Sequence, residues 1–185
     1  MEPQQDFSNF KLNPLYDPRE SDSPKLLALY EWWCGLRKGR TYPAWSDADV
    51  TELKPWMGWL NIYGLLPDRS DAKFRLVGSE FASVTGYDLT GKMLSEGSYS
   101  MTPAIVLENL CRVADHGDAS LQRNKIYTNR HLSAPSERLW MPFAEPEQPV
   151  DRIMIFYQSV DVLVHPSDRK EGSTSLDFSA KPPGG

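Results

Sequence analysis

The chain has 185 residues, 40% of them hydrophobic and 24% charged, which fits one domain with a core of its own and tails. Its net charge of −5 argues against a general nucleic-acid surface. No apolar run approaches the ~18 residues of a membrane span, and Met1 to Asp22 is polar, unlike a signal peptide, so a cytoplasmic protein is expected.

Residues 1–22 read as a flexible arm, with Phe7, Phe10 and Tyr16 free to dock on the domain or on a partner. Residues 23–164 hold the periodic segments. Ser23-Pro24 starts a helix, an N-cap followed by proline at the first helical position. Its apolar stripe is Leu26, Leu29, Tyr30 and Trp33, and Gly39 ends it. Arg37, Lys38 and Arg40 form the main basic cluster, at the helix end that suits cations. Leu27, Trp32 and Cys34 widen the apolar surface, to be covered either by a second subunit or by a loop of the same chain. Ser46 to Asp49 offers a second helix start, with Val50, Leu53 and Met57 on its buried side and Pro55 as its end or kink.

Trp59 to Leu66 and Lys73 to Val77 are strand candidates joined by the turn cluster Pro67 to Asp71, an antiparallel hairpin. Gly78 breaks the second strand. Ser79 then serves as N-cap of a short helix with Phe81, Val84 and Thr85 on one face, and Gly86 caps its end. Asp88 to Gly91 turns the chain again. After a linker from Leu94 to Met101, Thr102-Pro103 starts a long helix that buries Val106, Leu107, Leu110, Val113 and Ala114 and closes at His116-Gly117. Ser120 to Thr128 reads as a polar edge strand, and 129–136, with Pro135, as a loop. Arg138 to Ala144 follows, with Leu139, Met141 and Phe143 alternating. Arg152 to Val164 is apolar on both faces and should lie centrally, covered on both sides. Residues 165–185 are a Pro-, Gly- and Ser-rich tail expected to be disordered. This order gives an α+β domain with one antiparallel sheet.

The stretch Phe74-Arg75-Leu76-Val77-Gly78-Ser79, followed by Gly86-Tyr87-Asp88-Leu89-Thr90-Gly91-Lys92, resembles the bacterial single-domain PAS-like proteins. They pair such a strand and short helix with a Gly-x-Asp-Leu-Thr-Gly turn. The resemblance spans about Ser23 to Val164. Where the family often carries a Leu-Pro pair, this chain has Met57-Gly58-Trp59-Leu60. The resemblance implies a curved five-stranded sheet, short helices leaning across one face, an N-terminal flanking helix and a sensory or regulatory role. On that basis Leu26, Leu29, Tyr30 and Trp33 become candidates for a homodimer seam.

Motifs for chemistry are absent. The chain has no Gly-x-Ser-x-Gly, phosphate-loop, His-Glu-x-x-His, Cys-x-x-Cys or dinucleotide signature, and no enzyme is expected. Cys34 and Cys111 sit in apolar-periodic segments and read as core thiols. His116 suits a helix end, while His131 and His165 fall in loop or tail. No metal site is expected, and neither haem nor flavin finds a ligand or reactive cysteine in a favourable context, so the cofactor stays open.

What remains is an interior that would hold a small molecule. Its candidate lining is Phe74, Leu76, Phe81, Val84, Tyr87, Met93, Val106, Leu110, Leu139, Met141, Ile155 and Tyr157, each of which reads first as packed core. Arg75, on a short strand, needs solvent or an anion and is a candidate ligand anchor. The expected function is a PAS-like sensor that binds a small molecule and signals to a downstream protein by contact. The alternative is a ligand-free adaptor that uses the fold for docking.

Overall fold

The computed structural model describes residues 12–96, 103–127 and 133–159. Three α-helices and five strands carry the architecture of these residues: α1 (Pro24–Leu36), β1 (Leu60–Leu65), β2 (Ala72–Val77), α2 (Ser79–Thr85), α3 (Pro103–His116), β3 (Ser120–Tyr127), β4 (Ser133–Phe143) and β5 (Arg152–Ser159). The strands form one antiparallel sheet in the order β2-β1-β5-β4-β3. The fold is α+β, as expected.

The middle place of β5 follows from its composition. Ile153, Ile155 and Tyr157 point to one face, Met154 and Phe156 to the other, and all five are buried. A strand with two apolar faces is stable only when both are covered. The inner face lies under α2 and α3, with Leu110 and Val113 of α3 packed against it. The outer face lies under α1 and the turns that follow it.

α1 begins as read: Ser23 Oγ accepts from the Leu26 N–H at 3.2 Å, and Pro24 takes the first helical position. Its stripe, however, is used within the chain. Leu26, Leu29 and Trp33 are wholly buried against the outer face, and Trp33 Nε1 donates to the Pro142 carbonyl at 3.1 Å. Side chains with no exposed surface cannot also meet a second copy, so this stripe is not a dimer seam; Tyr30 stays half-buried beside it, stacked on Trp33 with ring centroids 6.4 Å apart. Trp32 covers a turn of its own chain, donating from Nε1 to Glu52 at 2.7 Å.

The second helix is replaced by three short 3-10 turns, Trp45–Asp47, Val50–Leu53 and Met57–Trp59. Asp49 accepts from the Thr51 N–H and restarts the chain, and Pro55 has no N–H with which to continue a helix. α2 starts one residue away from the expected cap: Gly78 occupies the N-cap, without a side-chain bond. A Cβ on Gly78 would stand 2.3 Å from the Gly58 carbonyl oxygen. Met57 and Gly58 thus sit at a backbone-to-backbone contact with Gly78. Gly86 caps the end of α2 at φ +84°, as read.

β4 begins at Ser133, within the expected loop, because Pro135 pairs with Lys125 of β3 beyond the last β5 pairing, Ser136 to Ser159. A proline is tolerated where a strand has one neighbour. Both outer strands are shielded at their edges. Tyr16 and Leu121 of β3 exchange backbone bonds at 2.8 and 2.9 Å, and Phe74 of β2 bonds to Gly91 and Lys92 at 2.8 and 2.9 Å. Residues 12–22 are therefore not a loose arm. Tyr16 also lies under the Arg123 guanidinium, 4.9 Å away, and Arg123 donates to the Glu20 carbonyl at 2.9 Å. Residues 1–11, the 97–102 part of the linker and the tail from 160 onward lie outside the described residues, as do His131 and His165.

Candidate functional site on the inner face of the sheet

Strand register sets the inner face in rows. One row runs Val77, Asn61, Ile155, Trp140 and Ser120 across all five strands. The next holds Tyr157, Arg138 and Gln122. Both rows are largely buried, and they carry a high share of polar groups.

Asn61 has no exposed surface. Its Oδ1 accepts from the Gly78 N–H at 3.1 Å, which ties β1 to the start of α2, but its Nδ2 has no hydrogen-bond partner. Trp140, 3% exposed, likewise leaves Nε1 without a partner. The two flank Ile155, about 10 Å apart as two strand spacings. A buried donor left unpaired costs about 1–3 kcal/mol. Two of them lie on one covered face.

The second row is paired. Arg138 donates to the Lys125 carbonyl at 2.9 Å, and its guanidinium lies 5.3 Å from the Tyr157 ring centroid. Tyr157 meets Phe81 of α2 at 4.4 Å between centroids. Gln122 donates to Asn109 Oδ1 of α3 at 3.0 Å, and Asn109 donates to the Ile105 carbonyl at 2.9 Å. Asn124 donates to Gln122 Oε1 at 3.3 Å and accepts from Asn13, whose carbonyl takes a bond from Arg112 at 2.7 Å. A continuous hydrogen-bonded chain therefore joins the inner face, α3 and the N-terminal segment.

Of the expected lining, Phe74, Leu110, Ile155 and Tyr157 are buried in this inner cluster, and Phe81 and Val106 pack against it. Val84 and Met93 are half-buried, Met93 at the β2 edge opposite Lys73. Three residues lie on the other face: Leu76, Leu139 and Met141 belong to the outer cluster formed with α1 and the turns that follow it. Tyr87 is 45% exposed in its loop. Arg75 is exposed and turned to the outer face, so it anchors nothing inside. The buried arginine of the inner face is Arg138. Asn61, Asn109, Gln122, Arg138 and Trp140 escaped the reading for one reason. In β4 the more apolar alternate set, Leu139, Met141 and Phe143, looks inward, yet it is the set that α1 covers. With both faces buried, hydrophobicity does not say which cover a side chain meets.

Other reactive groups fit structural roles. Burial pushes the Cys111 thiol up, which makes it a poor nucleophile at neutral pH. His116 is exposed at the end of α3. Among the described residues no group of three His, Cys, Asp or Glu side chains is placed to hold a metal ion, and no helix is long and apolar enough to cross a membrane.

No protein-family model matches the chain, and no curated protein matches it. Among solved structures it is similar to the light-state LOV domain of the blue-light photoreceptor Aureochrome1, at 13% identity and a TM-score of 0.43 over 62% of this chain and 91% of that one. A light-oxygen-voltage domain studied with a flavin analogue gives 16% identity and a TM-score of 0.45 over 61% and 84%. A sensory box histidine kinase/response regulator from Burkholderia thailandensis E264 gives 13% and 0.38 over 60% and 85%. At these levels the likenesses say nothing of what this chain binds. The architecture itself, five antiparallel strands with helices crossing the sheet, is an α+β PAS-like fold.

Proposed function

We propose that the chain is a bacterial, cytoplasmic, single-domain PAS-like regulatory protein that binds a small molecule on the inner face and signals by protein contact rather than by catalysis. The observation that carries this reading is the pair of buried, unpaired donors, Asn61 Nδ2 and Trp140 Nε1, on the face closed by α2 and α3. A ligand changes a signalling state only if it binds two arrangements with different affinity. The bonds from Asn109 through Gln122 and Asn124 to Asn13 support a route from the inner face to residues 12–22. The partner, a downstream signalling protein or a second copy, then reads the N-terminal segment or the outward side of α1, since the inward side is taken.

Paired native and denaturing mass spectrometry on protein purified from its own host tests this, with a visible absorption scan to separate coloured cofactors from a colourless ligand. The expected result is a mass difference that shrinks in Asn61→Leu and Trp140→Phe. Equal masses in the unaltered protein refute the sensor reading. They favour a ligand-free adaptor, a reading supported by the close Phe81–Tyr157 and Tyr63–Phe74 ring pairs that fill part of the inner face.

A further inference from the structure

The outer face carries a second feature, independent of the inner one. In the β1–β2 pair the register passes from Ile62↔Leu76 to Tyr63↔Phe74, which leaves Arg75 as the extra residue of a β-bulge. A bulge re-aims the side chain it carries. Here Arg75 Nε comes to 2.6 Å from the place where a Cβ on Gly64 would stand. The arginine thus lies across the strand at the one position of β1 with no side chain to block it. Gly64 has two more cationic neighbours in register, Lys73 on β2 and Arg152 on β5. The Arg152 guanidinium rests 4.5 Å from the Trp45 ring centroid, and its Nε is buried without a hydrogen-bond partner.

Three cations therefore ring one glycine in a chain of net negative charge. Among the described residues none of the three makes an ion pair or a side-chain hydrogen bond. Two acids stand near Arg152. Glu145 is engaged by the Ser46 N–H and hydroxyl at 3.1 and 2.7 Å, and Asp151 is exposed. Burial, with repulsion from Arg75 added, holds the Arg152 guanidinium below its usual range despite those two acids.

We propose that Lys73, Arg75 and Arg152 form an oxyanion site over Gly64 that takes a phosphate group, free or as a small monoester. The chemistry decides the class. A carboxylate offers two oxygens in one plane and is satisfied by a single guanidinium fork. Two guanidinium groups from different strands and an ammonium call for oxygens that diverge, together with more than one charge, and a phosphate supplies both. The missing side chain at Gly64 lets the Arg75 side chain lie flat against the sheet, which holds its guanidinium on the same face as Lys73 and Arg152.

The test is a titration of the 15N-labelled full chain, followed at the arginine Nε–H resonances, with inorganic phosphate, glycerol 3-phosphate and acetate at constant ionic strength. The expected result is saturable shifts of the Arg75 and Arg152 signals with phosphate or its monoester and none with acetate; the tighter of the two phosphates names the source. Arg75→Gln should weaken binding about tenfold, the loss of one charge-assisted contact. Gly64→Ala keeps every charge but pushes Arg75 aside, and should weaken binding to a similar extent. Arg19→Gln, at the opposite edge and paired to Asp17, should leave it unchanged. Shifts with acetate equal to those with phosphate, no saturation with either phosphate, or undiminished binding in a folded Gly64→Ala and in Arg75→Gln would overturn the proposal.

Discussion

Replacing Trp33 by alanine separates two roles for α1, a cover for the chain's own sheet and a seam between copies. Trp33 has no exposed surface, stacks on Tyr30, lies 5.3 Å from the Arg37 guanidinium and donates to the Pro142 carbonyl. Cutting a buried tryptophan to alanine costs about 3–5 kcal/mol in transfer and cavity terms. The orphaned Pro142 carbonyl adds about 1 kcal/mol. A domain of this size holds about 5–15 kcal/mol in all, so the variant should fold but with much of its margin gone. With a urea slope of about 2 kcal/mol/M, a combined loss of about 5 kcal/mol moves the midpoint down by about 2.5 M. Urea unfolding followed by circular dichroism at widely spaced protein concentrations reads both quantities. The midpoint should drop without depending on concentration, and Trp33→Phe should fall between the two. A Trp33→Ala midpoint within about 0.5 M of the parent, or a loss visible only as a dimer turned monomer, would refute the placement of α1.

Two glycines make opposite predictions. Gly78→Ala drives a methyl into the Gly58 and Met57 carbonyls at 2.3 and 2.8 Å. Backbone cannot swing aside as a side chain can, so a loss of about 3 kcal/mol is expected in thermal unfolding. Gly35→Ala, on α1 with nothing within 4 Å of the new methyl, should gain about 0.5–1 kcal/mol; a loss there would refute the open space beside it. Tyr30 tests linkage. Burial, helped by Cys34, pushes its hydroxyl from 10.0 up to about 12. The raised value means that its contribution is complete below pH 10.0, where the unfolded tyrosine ionises, and is lost as pH climbs toward about 12. Tyr30→Phe should flatten the alkaline fall in stability over that window, and an unchanged pH profile would show that Tyr30 titrates normally.

Local chemistry made much of the fold legible. Ser23-Pro24, Gly86 and His116-Gly117 mark helix ends because capping depends on a few adjacent residues. The two apolar faces of β5 placed it in the middle of the sheet. The failures share a different origin. The stretch from Ser46 to Trp59 offers helix caps in sequence, but Trp56 Nε1 bonds to the Lys25 carbonyl at 2.8 Å and Trp32 Nε1 to Glu52, so its turns are set by α1. Tyr16 looks free until the edge of β3 is there to receive it.

The sequence alone therefore determined the type of most elements, many of their ends, the antiparallel α+β class and the central strand. These rest on periodicity and capping, which act over a few residues. The tertiary structure decided which face of β4 meets α3, where Asn61 and Trp140 leave their donors, and which way Arg75 points. Each of those depends on what covers a face, or on one extra residue in a bulge, and pairing between distant strands settles both.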